Sequence, residues 1–255
     1  MTIAEGRDAK RLLQWVQQQA GISRRKAREL IEGGEVCVNG EPVLDPFTLF
    51  VRDAIGRLSL RGHPLAVDPP ESRVYRYHKP PGVLCSHDDR FYGNTVGRVL
   101  RTEGFIGYTW IGRLDQDAEG LLLLTNDGSL VHAFTHPRYE VEKVYRVWLG
   151  SMPKATQLNR FLSEMKGGIA DAGETLRILG GNLEGTPPHV RLALTEGKKH
   201  EIKRLFAHFG LTVERLQRVA IGPTELGDLP VGAIRRVPSE ATERLRASAR
   251  RLLGT

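Results

Sequence analysis

Leu121-Leu122-Leu123-Leu124 is an unbroken apolar run, closed by Gly120 on one side and by Asn126-Asp127-Gly128 on the other. A run so short, bounded by turn signals, predicts a strand buried on both faces. Immediately before it stands Gly112-Arg113-Leu114-Asp115-Gln116-Asp117-Ala118-Glu119, which gathers acidic side chains at the entry to the buried element. A carboxylate at Asp115 can be held rigidly against apolar walls, with its protonation and reach controlled. A catalytic aspartate is placed in that way. Pattern alone favours the plainer reading, a polar turn ahead of a core strand.

The chain has 255 residues, enough for one large domain and a small one. No apolar run approaches the roughly 20 residues that span a bilayer. Met1 to Arg7 contains no signal-peptide core, and a cytoplasmic protein is expected. Cys37 and Cys85 have neither metal-ligand spacing nor a disulfide framework, so both are expected as buried, reduced thiols. The formal charge of +7 favours a polyanionic partner, and its placement matters more than its size.

Residues 7–66 read as a small first unit. Val67-Asp68-Pro69-Pro70-Glu71-Ser72 reads as a linker, 67–72. Residues 73–238 read as one strand-rich α+β domain, and 239–255 as a terminal helix with Ser239 as its N-cap. In the first unit, Leu12, Leu13, Trp15 and Val16 give one helical apolar face. Ser23 caps a second helix, Arg24 to Glu32, that turns Ala27, Leu30 and Ile31 inward and stops at Gly33-Gly34. Glu35 to Val43 alternates as a strand that turns at Asn39-Gly40. Arg24, Arg25, Lys26 and Arg28 crowd the start of the second helix, where cations oppose the macrodipole. The cluster is either a phosphate-gripping surface or a solvated charged face.

Three further segments concentrate chemistry. Val74 to Val83 is an alternating strand ended by Lys79-Pro80-Pro81-Gly82, with Cys85-Ser86 beyond. Val141 to Trp148 alternates as a strand carrying Tyr145. Leu194 to Phe206 ends a strand at Glu196-Gly197 and starts a helix that runs to about His208. Each has a bland alternative: a hairpin turn, a core tyrosine, an ordinary basic helix. His132 and His136 stand four apart, yet no third ligand accompanies them at metalloprotease spacing, and they are taken as structural.

These segments together carry a resemblance. Gly112 to Gly128 resembles the "GRLD…GLLLLTNDG" signature of the pseudouridine synthases that modify ribosomal RNA, in the branch named after the small-subunit enzyme RsuA. It departs at Ala118, where that family carries Thr or Ser. Lys79 to Ser86 resembles the family's "KPxGxxxS", Lys143 to Val147 its "K-x-Y-x-V", and Glu196 to Phe206 its "EG(R/K)xHQ(V/I)(R/K)RMF", with Glu201 where Gln is usual. Gly21 to Gly40 resembles the S4-type RNA-binding domain, which precedes the catalytic domain in this branch.

The resemblance implies an α+β protein: a small N-terminal S4-type α/β domain, then a mixed, mainly antiparallel sheet with flanking helices. It implies isomerisation of a flipped-out uridine in ribosomal RNA or a pre-ribosomal particle, by a monomer, without cofactor or metal. Asp115 is then the catalytic aspartate, Tyr145 stacks on the base, and Lys203 keeps Asp115 ionised. Arg24, Arg25, Lys26, Arg28, Lys79, Arg113, Lys198, Lys199 and Arg204 are the expected RNA contacts, with Arg113 entering the gap left by the flipped nucleotide or packing locally. Asp117 and Glu119 are left as turn residues. Lys203, Cys85 to Asp89 and Ile221-Gly222-Pro223 lean toward the small-subunit enzymes. Two other classes stand beside this reading: a non-catalytic RNA-binding or assembly factor, and a glycosidase-like hydrolase using Asp115 with Asp117 or Glu119.

Overall fold

The computed structural model describes residues 9–66 and 71–254. Most of the expected linker, 67–70, lies outside the described residues, as do the first two residues of the expected first unit. The chain divides into two compact units, Met1–Ser72 with Gly97–Thr109, and Arg73–Val96 with Trp110–Thr255. The segment 97–109, assigned by sequence to the second domain, therefore groups with the first unit.

The first unit contains β1 (Lys10–Arg11), α1 (Leu12–Ala20), α2 (Arg24–Glu32), β2 (Val36–Val38), β3 (Glu41–Pro42), β4 (Leu49–Phe50), β5 (Leu58–Leu60) and β6 (His63–Leu65). Strands β3-β2-β5-β6 form an antiparallel sheet, and β1 pairs with β4. Leu12, Leu13, Trp15 and Val16 of α1 and Ala27 and Ile31 of α2 pack in one apolar cluster with Val36, Val38 and Leu58. The Ser23 hydroxyl accepts from the Lys26 N–H at 3.2 Å, which caps α2 as expected. The β2–β3 turn has positive φ at both Asn39 and Gly40 (54° and 92°), the geometry for which an Asn-Gly pair is suited. Ile106 and Gly107 lie against the end of α1. A Cβ at Gly21 would come 2.4 Å from Ile106 Cγ2, so only glycine fits there.

The second unit is built from β7 (Val74–Lys79), the first residue of α3 (Val96–Thr102, the rest of which belongs to the first unit), β8 (Thr109–Ile111), β9 (Glu119–Thr125), α4 (Gly128–Thr135), β10 (Lys143–Leu149) and α5 (Ala155–Gly167). There follow β11 (Ile169–Asp171), β12 (Glu174–Leu176), β13 (Gly180–Glu184), β14 (His189–Leu194), α6 (Glu201–His208), β15 (Val213–Ile221), β16 (Thr224–Glu225), β17 (Ile234–Arg236) and α7 (Ser239–Leu253). The main sheet runs β13-β14-β10-β15-β9-β7-β17, with β16 beside β15 and β8 beside β9. The β9–β15 pairing is parallel, while β7–β9, β10–β14 and β10–β15 are antiparallel. This is the mixed, mainly antiparallel sheet with flanking helices that the sequence implied.

β9 lies inside that sheet, and Leu121 through Leu124 are all 0 % exposed. Leu121 and Leu123 join Leu130, Ala133 and Phe134 of α4 and Leu245 and Ala249 of α7 in one cluster. Burying a leucine stabilises by roughly 2 kcal/mol, so the run anchors the chain that leads into it. A second cluster joins Tyr145, Val147 and Leu149 of β10 to α5 and to Ile202, Leu205 and Phe206 of α6. One local expectation shifts: Ser239 is the first residue of α7, with Pro238 at the cap position. Among the described residues, no helix is long and apolar enough to cross a membrane.

Candidate active site

Asp115 sits in the bend between β8 and β9, and two buried cations hold that bend through its carbonyls. Lys79 is 0 % exposed. Its ammonium donates to the carbonyls of Pro80 (2.9 Å), Val83 (2.8 Å) and Gln116 (3.3 Å). The Gly82 N–H also donates to the Gln116 carbonyl, at 2.7 Å, so the Pro-Pro-Gly turn is tied to the residue after Asp115. Arg218, on β15, is 2 % exposed. Its Nε donates to the Leu121 carbonyl (2.8 Å) and its Nη1 to the Arg113 carbonyl (3.0 Å). Gly120 makes this possible. It pairs with Arg218 across β9 and β15 at φ +110°, and a Cβ there would lie 2.2 Å from the Arg218 carbonyl oxygen.

Asp115 lines a cavity of ≈ 440 Å³, together with Leu84, Cys85, Arg113, Tyr145, Leu194, Lys198, Lys199, His200, Glu201 and Leu216 among others. That volume is in the range of small-ligand sites. Asp115 and Tyr145 are thus brought to one cavity from segments far apart in sequence. The Asp115 side chain is 30 % exposed, and the His200 Nε2 stands 3.7 Å from its Oδ1. Tyr145 is only 6 % exposed and also belongs to the apolar cluster beneath. Both cysteines are free and, against expectation, Cys37 is half-buried and so is Cys85. The Cys85 sulfur accepts from the Leu114 N–H at 3.4 Å, beside Asp115.

Glu201, the departure from the usual Gln, opens α6. It is 4 % exposed, and its Oε2 accepts from the Lys198 N–H at 3.0 Å. Burial pushes its carboxyl above the usual carboxylate range. A carboxylate at this end of a helix is favoured by the macrodipole, which offsets part of that burial.

Several expected roles are corrected by the geometry. Lys203 does not meet Asp115. Its ammonium pairs with Asp117, and that hydrogen bond holds the Asp117 carboxyl below its ordinary range. The reason is position: the Asp117 side chain is 69 % exposed on the turn, where a lysine from α6 reaches it first. Asp117 is therefore an ion-pair partner, and Glu119 is not a turn residue but a buried strand residue paired with Arg215 at 2.6 Å. Lys79 cannot touch RNA from its buried position, and burial lowers its pKa to about 8 against the pull of Cys85, Asp117 and Asp115. Arg204 is engaged by Asp171 and Glu174, and Lys198 by Glu196 and the Thr175 carbonyl. Lys199 and Arg113 are exposed on the cavity wall, where the expected contacts are sterically open.

Sequence reasoning missed Arg218 and His200. Arg218 had a signal: a charged residue between Leu216 and Val219-Ala220-Ile221 in a strand of a buried sheet needs internal partners. Lys143 is similar, donating to the Thr195 carbonyl at 2.9 Å, with its pKa lowered to about 8 by burial. In the first unit, the cations of α2 meet carboxylates one turn on. Arg25 and Lys26 pair with Glu29, and Arg28 with Glu32, while Arg24 has no ion pair among the described residues. The clash with the macrodipole is thus answered within the helix and does not require an external anion. Such exposed pairs are worth at most about 1 kcal/mol, so the cations stay available to a phosphate. Among the described residues, no group of three or more His, Cys, Asp or Glu is placed to hold a metal ion.

Comparison with known proteins bears on this arrangement. A family model described as RNA pseudouridylate synthase matches residues 73–208, and one described as S4 domain matches residues 10–47. Ribosomal small subunit pseudouridine synthase A of Vibrio cholerae is 35 % identical over 209 residues, covering 82 % of this chain and 87 % of that protein. Ribosomal large subunit pseudouridine synthase B of Bacillus subtilis is 33 % identical over 248 residues, covering 93 % of this chain and 96 % of that protein. A crystal structure of a pseudouridylate synthase superposes with a TM-score of 0.62 at 29 % identity, over 92 % of this chain and 99 % of that one.

Proposed function

Since the chain belongs to the RNA pseudouridylate synthase family, whose members are isomerases, we propose that it converts one specific uridine of ribosomal RNA to pseudouridine with Asp115 as the essential group. The observation that carries this reading is the convergence of Asp115 and Tyr145 on one cavity, with the Asp115 bend held by Lys79 and Arg218. The reaction breaks the C1′–N1 bond, turns the base and joins C1′ to C5; the C5 proton leaves and N1 gains one. No redox step or phosphate donor enters, so the reaction requires no cofactor. The Asp115 carboxylate acts on the ribose of the flipped nucleotide, either by attack at C1′ or by taking the 2′ proton, and both routes need it ionised. Tyr145 offers a ring for the base. Arg113 and Lys199 hold the RNA at the cavity wall, and Arg113 fills the gap left in the stack. Lys203 acts on the bend that carries Asp115, through its pair with Asp117.

Residues 7–66 grip the RNA through phosphates, with Arg24, Arg25, Lys26 and Arg28 as contacts. Residues 73–238 carry the chemistry, followed by the helical tail. The chain acts as a monomer in the cytoplasm, on ribosomal RNA or a pre-ribosomal particle. Small-subunit RNA is favoured by Lys203, by Cys85 to Asp89 and by Ile221-Gly222-Pro223, although relatives named for both subunits match. Mapping pseudouridine in ribosomal RNA from cells with and without the gene tests this directly. One small-subunit site should disappear; an unchanged map rules the proposal out. Replacing Arg24, Arg25 and Lys26 together by Ala should weaken RNA binding and reduce the slope of log K against log salt by about 2. An unaltered slope in a salt titration would remove the proposed role of α2.

A further inference from the structure

We propose that the face of the sheet opposite the Asp115 cavity carries a second contact for the RNA, in which Arg146 and Arg191 together take a backbone phosphate outside the nucleotides that enter the cavity. This rests on the reading of ribosomal RNA as the substrate.

The placement follows from strand alternation. β10 gives Tyr145 to the cavity, β14 gives Leu194 and β15 gives Leu216. Side chains along a strand point alternately to its two faces, so Arg146, Arg191 and Gln217 stand on the other side of the sheet. The register sets them in one row across four strands. Asn182 of β13 is opposite Arg191, Arg191 is opposite Arg146, and Arg146 is opposite Gln217. Like charges directly opposite each other on paired strands destabilise a sheet. The two arginines therefore oppose the stability of the free protein.

Their surroundings do not answer that repulsion. Arg215, on the same face, shows what a settled arginine has: it pairs with Glu119 at 2.6 Å and lies over the Trp148 ring, 4.3 Å from its centroid. Among the described residues, Arg146 and Arg191 make no hydrogen bond or ion pair. Both line a hollow of ≈ 150 Å³ whose other walls include Val219, Leu226 and Gly227. Glu225 also lines it, but its carboxylate pairs with neither arginine, and its main-chain carbonyl accepts from a third guanidinium, that of Arg76, at 3.1 Å. Arg191 is half-buried and Arg146 exposed, so one guanidinium is held in the wall while the other reaches from the surface.

Charge complementarity selects the occupant. The planar fork of a guanidinium matches the oxygens of a phosphate, and one phosphate between two guanidiniums turns a repulsion into two attractions. The polyanion this basic chain meets in its reaction is RNA. Phosphate contacts position an RNA without reading its sequence. A contact on the far face of the sheet holds a large folded RNA and leaves the cavity free for the target nucleotide.

The test is filter binding of a full-length ribosomal RNA transcript by the full-length protein between about 50 and 200 mM salt. Arg146→Gln combined with Arg191→Gln should lower the slope of log K against log salt by about 1.5, so that the variant loses about 10-fold less affinity across that range than the wild type. Arg146→Lys combined with Arg191→Lys keeps both charges and should keep the wild-type slope. The RNA-free Gln variant should melt at the wild-type temperature or above it, since two facing cations are gone. A wild-type slope in the Gln variant overturns the proposal, as does a slope lost equally in the Lys variant. A lowered melting temperature of the Gln variant also overturns it, because the arginines then belong to the scaffold. Tritium release from C5-tritiated uridine at saturating RNA separates this proposal from the reading beneath it, and the Gln variant should match the wild-type rate there. No release by the wild type refutes ribosomal RNA as the substrate, whereas wild-type release beside an unaltered slope in the Gln variant refutes only the second contact.

Discussion

Asp115→Asn is expected to leave a folded protein that binds RNA as the wild type does and forms pseudouridine slower by on the order of 10³-fold or more, the scale on which a sole reacting group is lost. The substitution is nearly isosteric. The turn it belongs to is closed by backbone, with the Ala118 N–H donating to the Asp115 carbonyl at 3.2 Å, and that bond does not depend on the side chain. Among the described residues, the only ion pair removed is the one to His200, in which both side chains are partly exposed (30 % and 50 %). An exposed pair of this kind contributes less than about 1 kcal/mol to folding. What an amide cannot do is act as an oxygen nucleophile or take a proton at neutral pH. Stability, affinity and chemistry should therefore separate cleanly across a thermal melt, a filter-binding isotherm and tritium release. Turnover within tenfold of wild type by the folded variant would sink the assignment of Asp115.

The largest effect on stability is expected at Gly120→Ala. The new methyl would stand 2.2 Å from the Arg218 carbonyl oxygen and 2.6 Å from its nitrogen, both main-chain atoms that no side-chain rotation can move away. The φ of +110° adds strain for any L side chain. Relief requires the parallel β9–β15 contact to open. That in turn withdraws the Arg218 guanidinium from the Leu121 and Arg113 carbonyls and leaves a buried cation unpaired. A loss of more than about 3 kcal/mol follows, from this backbone clash and broken network together. Gly128→Ala is the control: it has open space around it, and its effect should stay within about 1 kcal/mol. Urea denaturation of both variants gives the comparison. A Gly120→Ala protein as stable as the Gly128→Ala protein would show that the close approach of β9 and β15 is not structurally demanding.

The features legible in the sequence were those with local causes. Ser23 at the start of α2, Asn39-Gly40 in the β2–β3 turn and the four leucines of β9 each depend on a few consecutive residues, and each was found where expected. The resemblance pointed to Asp115 and Tyr145 by motif, not by geometry, and the fold brings both to one cavity. What was misread depends on partners far along the chain. Lys79 in a strand before a turn looks like any surface lysine until the Gln116 carbonyl, 37 residues on, is seen to accept from it. Lys203 meets Asp117 instead of Asp115 because a choice between two carboxylates on one turn is settled by reach in space. Arg204 finds its acids on β11 and β12, the hairpin before β13, and no pattern within α6 foretells that.

The chain of Gly97–Thr109, with Ile106 against the glycine that ends α1, makes the first unit discontinuous in sequence. Gene dissection at the linker would therefore not release a self-sufficient RNA-binding module. A fragment stopping at Ser72 leaves behind the piece that covers Gly21, and a chimera swapping only the front of the gene would mismatch that covering. Transplanting the RNA-gripping portion intact means carrying two stretches of coding sequence, the second taken from within the catalytic half.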